Sequence, residues 1–334
     1  MPTPILEVKN LTVEFSLHGR TIRACDNVSL TINRGEIVGI IGESGSGKTT
    51  LVSGILNLIQ APGKITSGEV IYHPRSGEPV DLRKLSPEQF AKHRWTNLTT
   101  VFQAAQNVMN PSLRVKEHFL ETAWAHEPNL KEEEILSKAR DLLSKVRLED
   151  RVLDCYPHQL SGGMKQRTII ALSLILNPDI IFLDEPTTAL DVITQWYILE
   201  ILKGIQKEYG LTMVFSTHDV SIIGSIVDRL GVMYAGQLVE YGPVLTMFKQ
   251  PTHPYTAGLM TAIPSLRDDV TKRKAIPGNP PDLAKLPDSC RFAPRCFAHA
   301  QGLCAGDKAA TERLYPSHPE QYTRCYSWEK VFKS

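Results

Sequence analysis

The 334-residue chain has no long apolar run: its uninterrupted hydrophobic stretches are short, such as Ile169-Ile170-Ala171-Leu172. A membrane-spanning helix needs roughly 20 such residues, so none is predicted. Nor is there an excess of either charge. With 37 basic and 36 acidic side chains, the chain carries no field that would concentrate nucleic acid or an anionic membrane surface. The N-terminal Met1-Pro2-Thr3-Pro4 lacks a basic region followed by an apolar one, so no signal peptide is expected. No internal repeat is visible. The chain is therefore expected in the cytoplasm, reaching a membrane only through another subunit. Its length exceeds what one core usually serves, which predicts a main domain and a smaller appendage.

Cysteine is also sparse, with six residues, and its placement is uneven. Cys25 and Cys155 are scattered, whereas Cys290, Cys296, Cys304 and Cys325 fall together near the C-terminus. In a reducing compartment such grouping favours metal ligation over disulfides. The spacing is C-x5-C-x7-C-x20-C. Tetrahedral zinc usually takes close C-x2-C pairs, and four thiolates spread over a loop suit a [4Fe–4S] cube. Zinc and free or paired thiols remain as alternatives.

What is present centres on Gly42-Glu43-Ser44-Gly45-Ser46-Gly47-Lys48-Thr49. The apolar run Ile37 to Ile41 precedes it and an amphipathic segment from Thr50 to Ile59 follows, so it reads as strand, phosphate-binding loop and helix. Glycines let successive N–H groups turn into a concavity, and the helix aims its positive dipole end at the same place. Lys48 is placed to reach β- and γ-phosphates, and the Thr49 hydroxyl to ligate Mg²⁺.

Upstream, Leu6–Val8, Thr12–Phe15 and Val28–Ile32 alternate as strands, separated by turn-like Lys9-Asn10, His18-Gly19 and Asn33-Arg34-Gly35, which predicts an antiparallel layer. Downstream, Ser67–Tyr72 and Leu98–Phe102 read as strands, and 110–151 as a mainly helical insert. Ser161-Gly162-Gly163 opens another helix with a hydroxyl residue at its start, which suits capping or a second anion site. Ile180–Leu183 resembles a central parallel strand, and Asp184-Glu185 follows it. Thr212–Ser216 is a further strand ending near His218, and 232–240 reads as two strands about a tight turn. From Pro251 onward, prolines mark a linker or wrapped extension.

An open parallel sheet gathers the C-terminal ends of its strands along one edge, where ligands bind. Runs ending at Ile41, Phe102, Leu183 and Ser216 would thus bring Lys48, Gln103, Asp184, Glu185 and His218 together. That set suits phosphoryl transfer. Asp184 can hold Mg²⁺, Gln103 can complete the metal shell, Glu185 can polarise an attacking water, and His218 can contact the γ-phosphate.

In this order, the 42–49 loop (Walker A), Gln103, Leu160-Ser161-Gly162-Gly163-Met164-Lys165-Gln166-Arg167, Ile180 to Glu185 (Walker B), Thr188-Ala189-Leu190-Asp191 and His218 resemble the ATPase subunit of an ATP-binding cassette (ABC) transporter. The LSGG signature at 160–163 discriminates, because other P-loop enzymes lack it. The resemblance implies an α/β P-loop NTPase core at 1–250, with an antiparallel β subdomain and a helical subdomain at about 104–160. It also implies a head-to-tail dimer in which ATP lies between residues 42–50 of one subunit and Ser161, Gly162, Gly163 and Asp191 of the other. A soluble cassette ATPase acting on DNA or ribosomes is disfavoured by the short insert, and an iron-sulfur sensor with regulatory ATP is a further reading. Phe15 is the nearest candidate for the family's adenine-stacking aromatic, although an ordinary strand Phe is an equal reading.

The segments 253–264, 276–283 and 290–296 resemble the extension of oligopeptide and dipeptide importer ATPases, nearest within them the D-type ATPases of dipeptide importers. This implies a C-terminal metal-cluster extension over 251–334, with a [4Fe–4S] cluster on Cys290, Cys296, Cys304 and Cys325 that ties down the tail. It implies two permeases, a second ATPase and an extracytoplasmic binding protein as partners, at the cytoplasmic face of the membrane. Branch members carry peptides, nickel or sugars. His299 and His318 read as surface residues rather than ligands.

Overall fold

The computed structural model describes residues 3–17, 19–103, 105–188, 190–262, 276–287, 289–307 and 314–332. His18, Ala189, Ile263 and Pro264, which belong to motifs read above, lie outside the described residues. The strands are β1 (Pro4–Leu17), β2 (Arg20–Asn33), β3 (Ile37–Ile41), β4 (Gly63–Tyr72), β5 (Val80–Asp81), β6 (Leu98–Val101), β7 (Ile180–Asp184), β8 (Thr212–Thr217), β9 (Arg229–Tyr234), β10 (Gln237–Pro243), β11 (Tyr315–His318) and β12 (Gln321–Thr323). The helices are α1 (Lys48–Ile55), α2 (Pro87–Ala91), α3 (Val115–His126), α4 (Glu132–Lys145), α5 (Gly162–Ser173), α6 (Val192–Tyr209), α7 (Val220–Ile223), α8 (Val244–Lys249), α9 (Pro254–Ala262), α10 (Phe297–Ala300) and α11 (Trp328–Phe332).

The antiparallel layer has the order β2-β1-β4-β5. Lys9-Asn10 is not a turn between two strands, as the alternation predicts. β1 runs on as one strand, and a register shift between Val8 and Leu11 absorbs Asn10 at φ 52°. An Asn tolerates the left-handed region, so the irregularity costs little there.

The central sheet has the order β11-β12-β10-β9-β3-β8-β7-β6. β3, β6, β7, β8 and β9 are parallel along it, with Ile41 level with both Thr217 and Val232. β3 and β7 are buried along their whole length, as expected of parallel strands covered on both faces. β9 and β10 pair about the Ala235-Gly236 turn, both residues at positive φ.

The insert packs α3 and α4 against α5. α4 buries Ile135, Ala139, Leu142 and Leu143 on one stripe, with three glutamates in its first turn and Lys145 in its last. That polarity complements the helix dipole.

The C-terminal region does not stand apart as an appendage with a sheet of its own. β12 pairs with β10 and continues the central sheet. The junction is held by Glu240, which is fully buried on β10. Its carboxylate accepts from the Thr252 N–H and hydroxyl at 2.8 and 2.9 Å, the His253 N–H at 2.9 Å and the Gln321 amide at 2.6 Å. Burial pushes the Glu240 carboxyl up and these donors hold it down, the former prevailing. Glu240→Ala strands several buried donors, so it is expected to cost about 2–4 kcal/mol, read as a lower urea midpoint; Glu240→Gln, which keeps one acceptor, is expected to lose less.

Candidate functional site

The turns leaving β3, β6, β7 and β8 meet at one edge of the sheet. They enclose a pocket of about 840 Å³ lined by Gly42, Glu43, Ser44, Gly45, Gly47, Lys48, Thr49, Thr50, Gln103, Glu185, Thr188 and His218, with Ala24, Val220, Leu259 and Leu283 completing the wall. The loop at 42–47 can follow its path only with glycine at two points. Gly42 and Gly47 have φ of 153° and 103°, and a Cβ at either would overlap a carbonyl oxygen, of Met233 and Ala24 respectively. Ser46 is buried beneath the loop, where its carbonyl accepts from the Gly236 N–H at 2.9 Å.

Lys48 opens α1 and is itself buried. Its ammonium donates to the carbonyls of Gly42 at 2.8 Å and Glu43 at 3.1 Å, bracing the loop from inside. Burial pushes this ammonium below its ordinary range, against the opposing pull of Glu185, Asp184 and Glu43. A phosphate is a suitable occupant for a cradle whose one ammonium is partly desolvated.

Asp184 ends β7 behind the pocket, 2 % exposed, and accepts a hydrogen bond from the Ser216 hydroxyl on β8. Glu185 is the hub of the site. Its backbone turns to φ 46° and its N–H donates to the Ser216 carbonyl at 2.9 Å. One carboxylate oxygen meets His218 Nδ1 at 3.0 Å. The other accepts from the Gln103 amide at 3.1 Å and the Thr188 hydroxyl at 3.0 Å. Burial alone would raise the Glu185 carboxyl; hydrogen bonds from His218 and Thr188, with the charges of His218 and Lys48, outweigh it and hold it below the usual range. The carboxylate is thus ionised and oriented by three neighbours, so it is free to accept a proton, although a lowered carboxyl is also a weaker base.

Ser161, Gly162, Gly163, Asp191 and Phe15 stand elsewhere. Ser161 caps α5 by accepting from the Met164 N–H at 3.3 Å, and Gly162 and Gly163 follow it. Asp191 caps α6 by accepting from the Thr194 N–H at 2.9 Å and its hydroxyl at 2.6 Å. The Thr194 hydroxyl and then its N–H hold the Asp191 carboxyl down. None of these residues lines the pocket. Phe15 does not line it either: it lies on β1 level with Gly63, where a Cβ would overlap its ring.

Thr188, Leu259 and Leu283 were not anticipated as pocket residues. Thr188 was accessible from its spacing, one helical step after Glu185. The two leucines had no local signal, because they arrive from the C-terminal region.

The expected metal cluster is not supported. Among the described residues no three or more His, Cys, Asp or Glu side chains are grouped to hold a metal ion. All six cysteines are free. Burial raises the thiols of Cys290, Cys296 and Cys325, the last to about 12. The four are nevertheless neighbours. Cys290, Cys296 and Cys304 each act on Cys325, and Cys304 acts on both of the others. Backbone N–H groups of Phe292, Ala293, His299, Ala298 and Ser327 point at three of the sulfurs, a donor set suited to thiolate ligands. The His299 ring is engaged with the Cys304 carbonyl at 3.1 Å, and His318 stacks edge-on with Trp328 at 5.3 Å.

Residues 25–188 match the family described as ABC transporter, and 239–304 the one described as oligopeptide/dipeptide transporter, C-terminal region. The chain is 40 % identical over 327 residues to the dipeptide transport ATP-binding protein DppD of Caldanaerobacter subterraneus subsp. tengcongensis, covering 98 % of each chain. It is 38 % identical over 337 residues to a putative peptide import ATP-binding protein of Brucella melitensis, again covering 98 % of each. The ATP-binding cassette MJ0796, solved as a dimer bound to ADP and Pi, superposes with a TM-score of 0.62 at 33 % identity, over 72 % of this chain and 98 % of that one. The structure of cbiO1 from Clostridium perfringens, part of the transporter complex cbiONQ, superposes with a TM-score of 0.63 at 28 % identity, over 74 % of this chain and 92 % of that one. On motif order, pocket and similarity along nearly its whole length, the chain belongs to the ATP-binding subunits of ABC transporters, in the branch that carries the oligopeptide/dipeptide transporter C-terminal region.

Proposed function

We propose that this protein hydrolyses MgATP to drive peptide import through a membrane complex. The observation that carries the reading is Glu185, oriented by Gln103, Thr188 and His218 and facing the Lys48 cradle. In this reading the loop at 42–50 binds the triphosphate and Lys48 moves from the loop carbonyls to the β- and γ-phosphates. Glu185 accepts a proton from the attacking water, and His218 orients that water and the γ-phosphate. Thr49, Gln103 and Asp184 form a hard oxygen set that suits Mg²⁺, which when bound neutralises phosphate charge.

The exposed helix start at Ser161 to Gly163 supports a second subunit. It is a second anion site on a chain whose own pocket it does not line, so it serves a neighbour. That neighbour is a sister ATPase in the cell or a second copy when the protein is isolated. The dimeric state of the MJ0796 cassette supports the same arrangement. DppD and the Brucella protein are described as dipeptide or peptide importers, which supports a peptide as cargo.

Among the described residues no helix is long and apolar enough to cross a membrane, and this reading assigns the permeases to other chains. A cleft of about 400 Å³ between core and insert, lined by Phe90, Trp95, Phe102, Val108, Met109 and His118 among others, suits an apolar permease helix. Phe102 and Val108 are 43 % and 74 % exposed there. The binding protein would act through the permeases at the far side, with this chain peripheral at the cytoplasmic face and the ATPase core over 1–250 joined to the extension over 251–334.

A [4Fe–4S] cluster on Cys290, Cys296, Cys304 and Cys325 is the finer reading of the tail: backbone N–H groups directed at three of the sulfurs speak for it, while the described residues form no ready-made metal-binding group. Zinc is its alternative.

Glu185→Gln is expected to cut turnover by about 100-fold or more while MgATP binding persists and a dimer accumulates in size-exclusion chromatography. Brisk hydrolysis would remove Glu185 from the proton-accepting role. Because the Glu185 carboxyl is held low, activity should persist as pH falls until that carboxyl protonates. Thr188→Val removes one stabilising hydrogen bond, so the acid limb of the kcat profile is expected to move to higher pH; an unmoved limb would detach Thr188 from Glu185. For the tail, anaerobically purified protein is expected to be brown, with about four iron and four sulfide per chain; a colourless sample with stoichiometric zinc would reverse that assignment.

A further inference from the structure

The phosphate loop carries a carboxylate at its second position, and the sequence offers no reason why an anion should be tolerated beside a triphosphate. Glu43 lines the pocket. Its backbone carbonyl touches the Lys48 ammonium at 3.1 Å, and the charge of its side chain is felt at that ammonium. An unpaired carboxylate so placed would repel a bound polyphosphate, and in a partly buried site water screens that repulsion poorly.

The structure shows where the compensation comes from. Arg295, 7 % exposed, lies in the segment between Cys290 and Cys296, 252 residues away in sequence. Its guanidinium grips Glu43 with both arms, at 2.7 and 2.9 Å. The remaining donor, Nε, is fixed on the Pro277 carbonyl at 2.8 Å, and Nη1 also reaches the Tyr234 hydroxyl at 3.4 Å. This is a two-pronged pair in which the fork geometry of arginine matches both carboxylate oxygens. Tyr255, also from the C-terminal region, accepts from the Glu43 N–H through its hydroxyl at 3.0 Å. Tyr234, Tyr255 and Phe292 pack as a ring cluster, with centroids 4.6 to 5.4 Å apart, that supports both contacts. Leu259 and Leu283 from the same region complete the pocket wall.

We propose that Arg295 is a positioning residue for nucleotide binding: it neutralises Glu43 and turns its carboxylate away from the triphosphate, so that the C-terminal region is a built part of the nucleotide site. The inference rests on the nucleotide reading of the pocket. Arg295 touches no reacting atom. It acts through Glu43, and its effect therefore falls on affinity rather than on the chemical step.

The test is a set of variants of the full chain, Arg295→Gln, Arg295→Lys, Glu43→Gln and the Glu43→Gln/Arg295→Gln pair, measured for binding of a non-hydrolysable MgATP analogue and for KM and kcat. Arg295→Gln is expected to weaken binding and raise KM by about tenfold or more, as expected for one uncompensated charge near the phosphates, with kcat within about threefold. Arg295→Lys, which keeps the charge and loses the fork, is expected to fall between. The decisive arm is the double variant: with the carboxylate also gone there is nothing left to neutralise, so affinity is expected to return to within about threefold of the unaltered protein. A merely structural pair would instead leave the double variant at least as impaired as the single one, and that result overturns the proposal. Unchanged affinity in a folded Arg295→Gln, or a loss in kcat alone, overturns it equally. If the unaltered protein fails to bind the analogue, the nucleotide reading itself falls; if it binds and the variants bind alike, only the role of Arg295 does.

Discussion

Everything at the site depends on the in-register parallel pairing of β3 with β8, and of β8 with β7. Parallel strands leave their C-terminal ends on one edge, so the turn after each strand is delivered to the same small volume. Ile41, Thr217 and Asp184 thereby stop within one strand spacing of their neighbours. The phosphate loop, His218 and Glu185 then need only short turns to meet. The Ser216 hydroxyl stitches the edge, donating to Asp184 while its carbonyl takes the Glu185 N–H. Just past that bond the Glu185 backbone turns to φ 46°, and its side chain lines the pocket.

The C-terminal region is organised around the same edge. It is too rich in proline and too small to build a core by itself, and it solves this by borrowing one. β12 extends the central sheet, Glu240 collects donors from two separate stretches of it, and Phe292 enters a ring cluster with Tyr234 and Tyr255. Two arginines of the cysteine-bearing segment then reach the phosphate-loop surroundings. Arg295 holds Glu43, and Arg291 holds Asp26 and the Ala235 carbonyl beside Gly236, whose N–H in turn supports Ser46. The segment that carries two of the four clustered cysteines is therefore in direct mechanical contact with the nucleotide site. In energetic terms these contacts are partly desolvated charge pairs, strongly dependent on both partners being present.

Reading the chain without its structure reached most of the catalytic edge because those residues are announced by their neighbours. A continuous apolar run identifies a buried parallel strand, and the residue after such a run must lie at the sheet edge. From Ile37–Ile41, Leu98–Phe102, Ile180–Leu183 and Thr212–Ser216 that logic puts Lys48, Gln103, Glu185 and His218 at the edge, and in the structure these four line one pocket. It failed where the signal was not local. Lys9-Asn10 looks like a turn and is a register shift, because only the partner strand decides whether an Asn ends a strand or merely irregularises it. Phe15, the nearest aromatic candidate upstream, lies on β1 against Gly63 and does not line the pocket. The grouping of four cysteines was visible as a spacing, but whether their sulfurs share a centre depends on backbone geometry that spacing does not specify.

By itself the sequence determined the order of the phosphate loop, the signature helix start and the two carboxylates, because each needs particular residue types at fixed short offsets: glycine for positive φ, a hydroxyl for a cap, an acid after a buried strand. Only the tertiary structure decided which distant groups complete them. Glu43 and Arg295 are ordinary charged residues in their own neighbourhoods, and nothing within either segment selects the other. Their pairing arises because Phe292 packs against Tyr234 and Tyr255 while Arg291 holds Asp26 and the Ala235 carbonyl, which seats the 290–296 segment beside the loop. Long-range charge compensation is a property of the folded surface, so it could be seen only there.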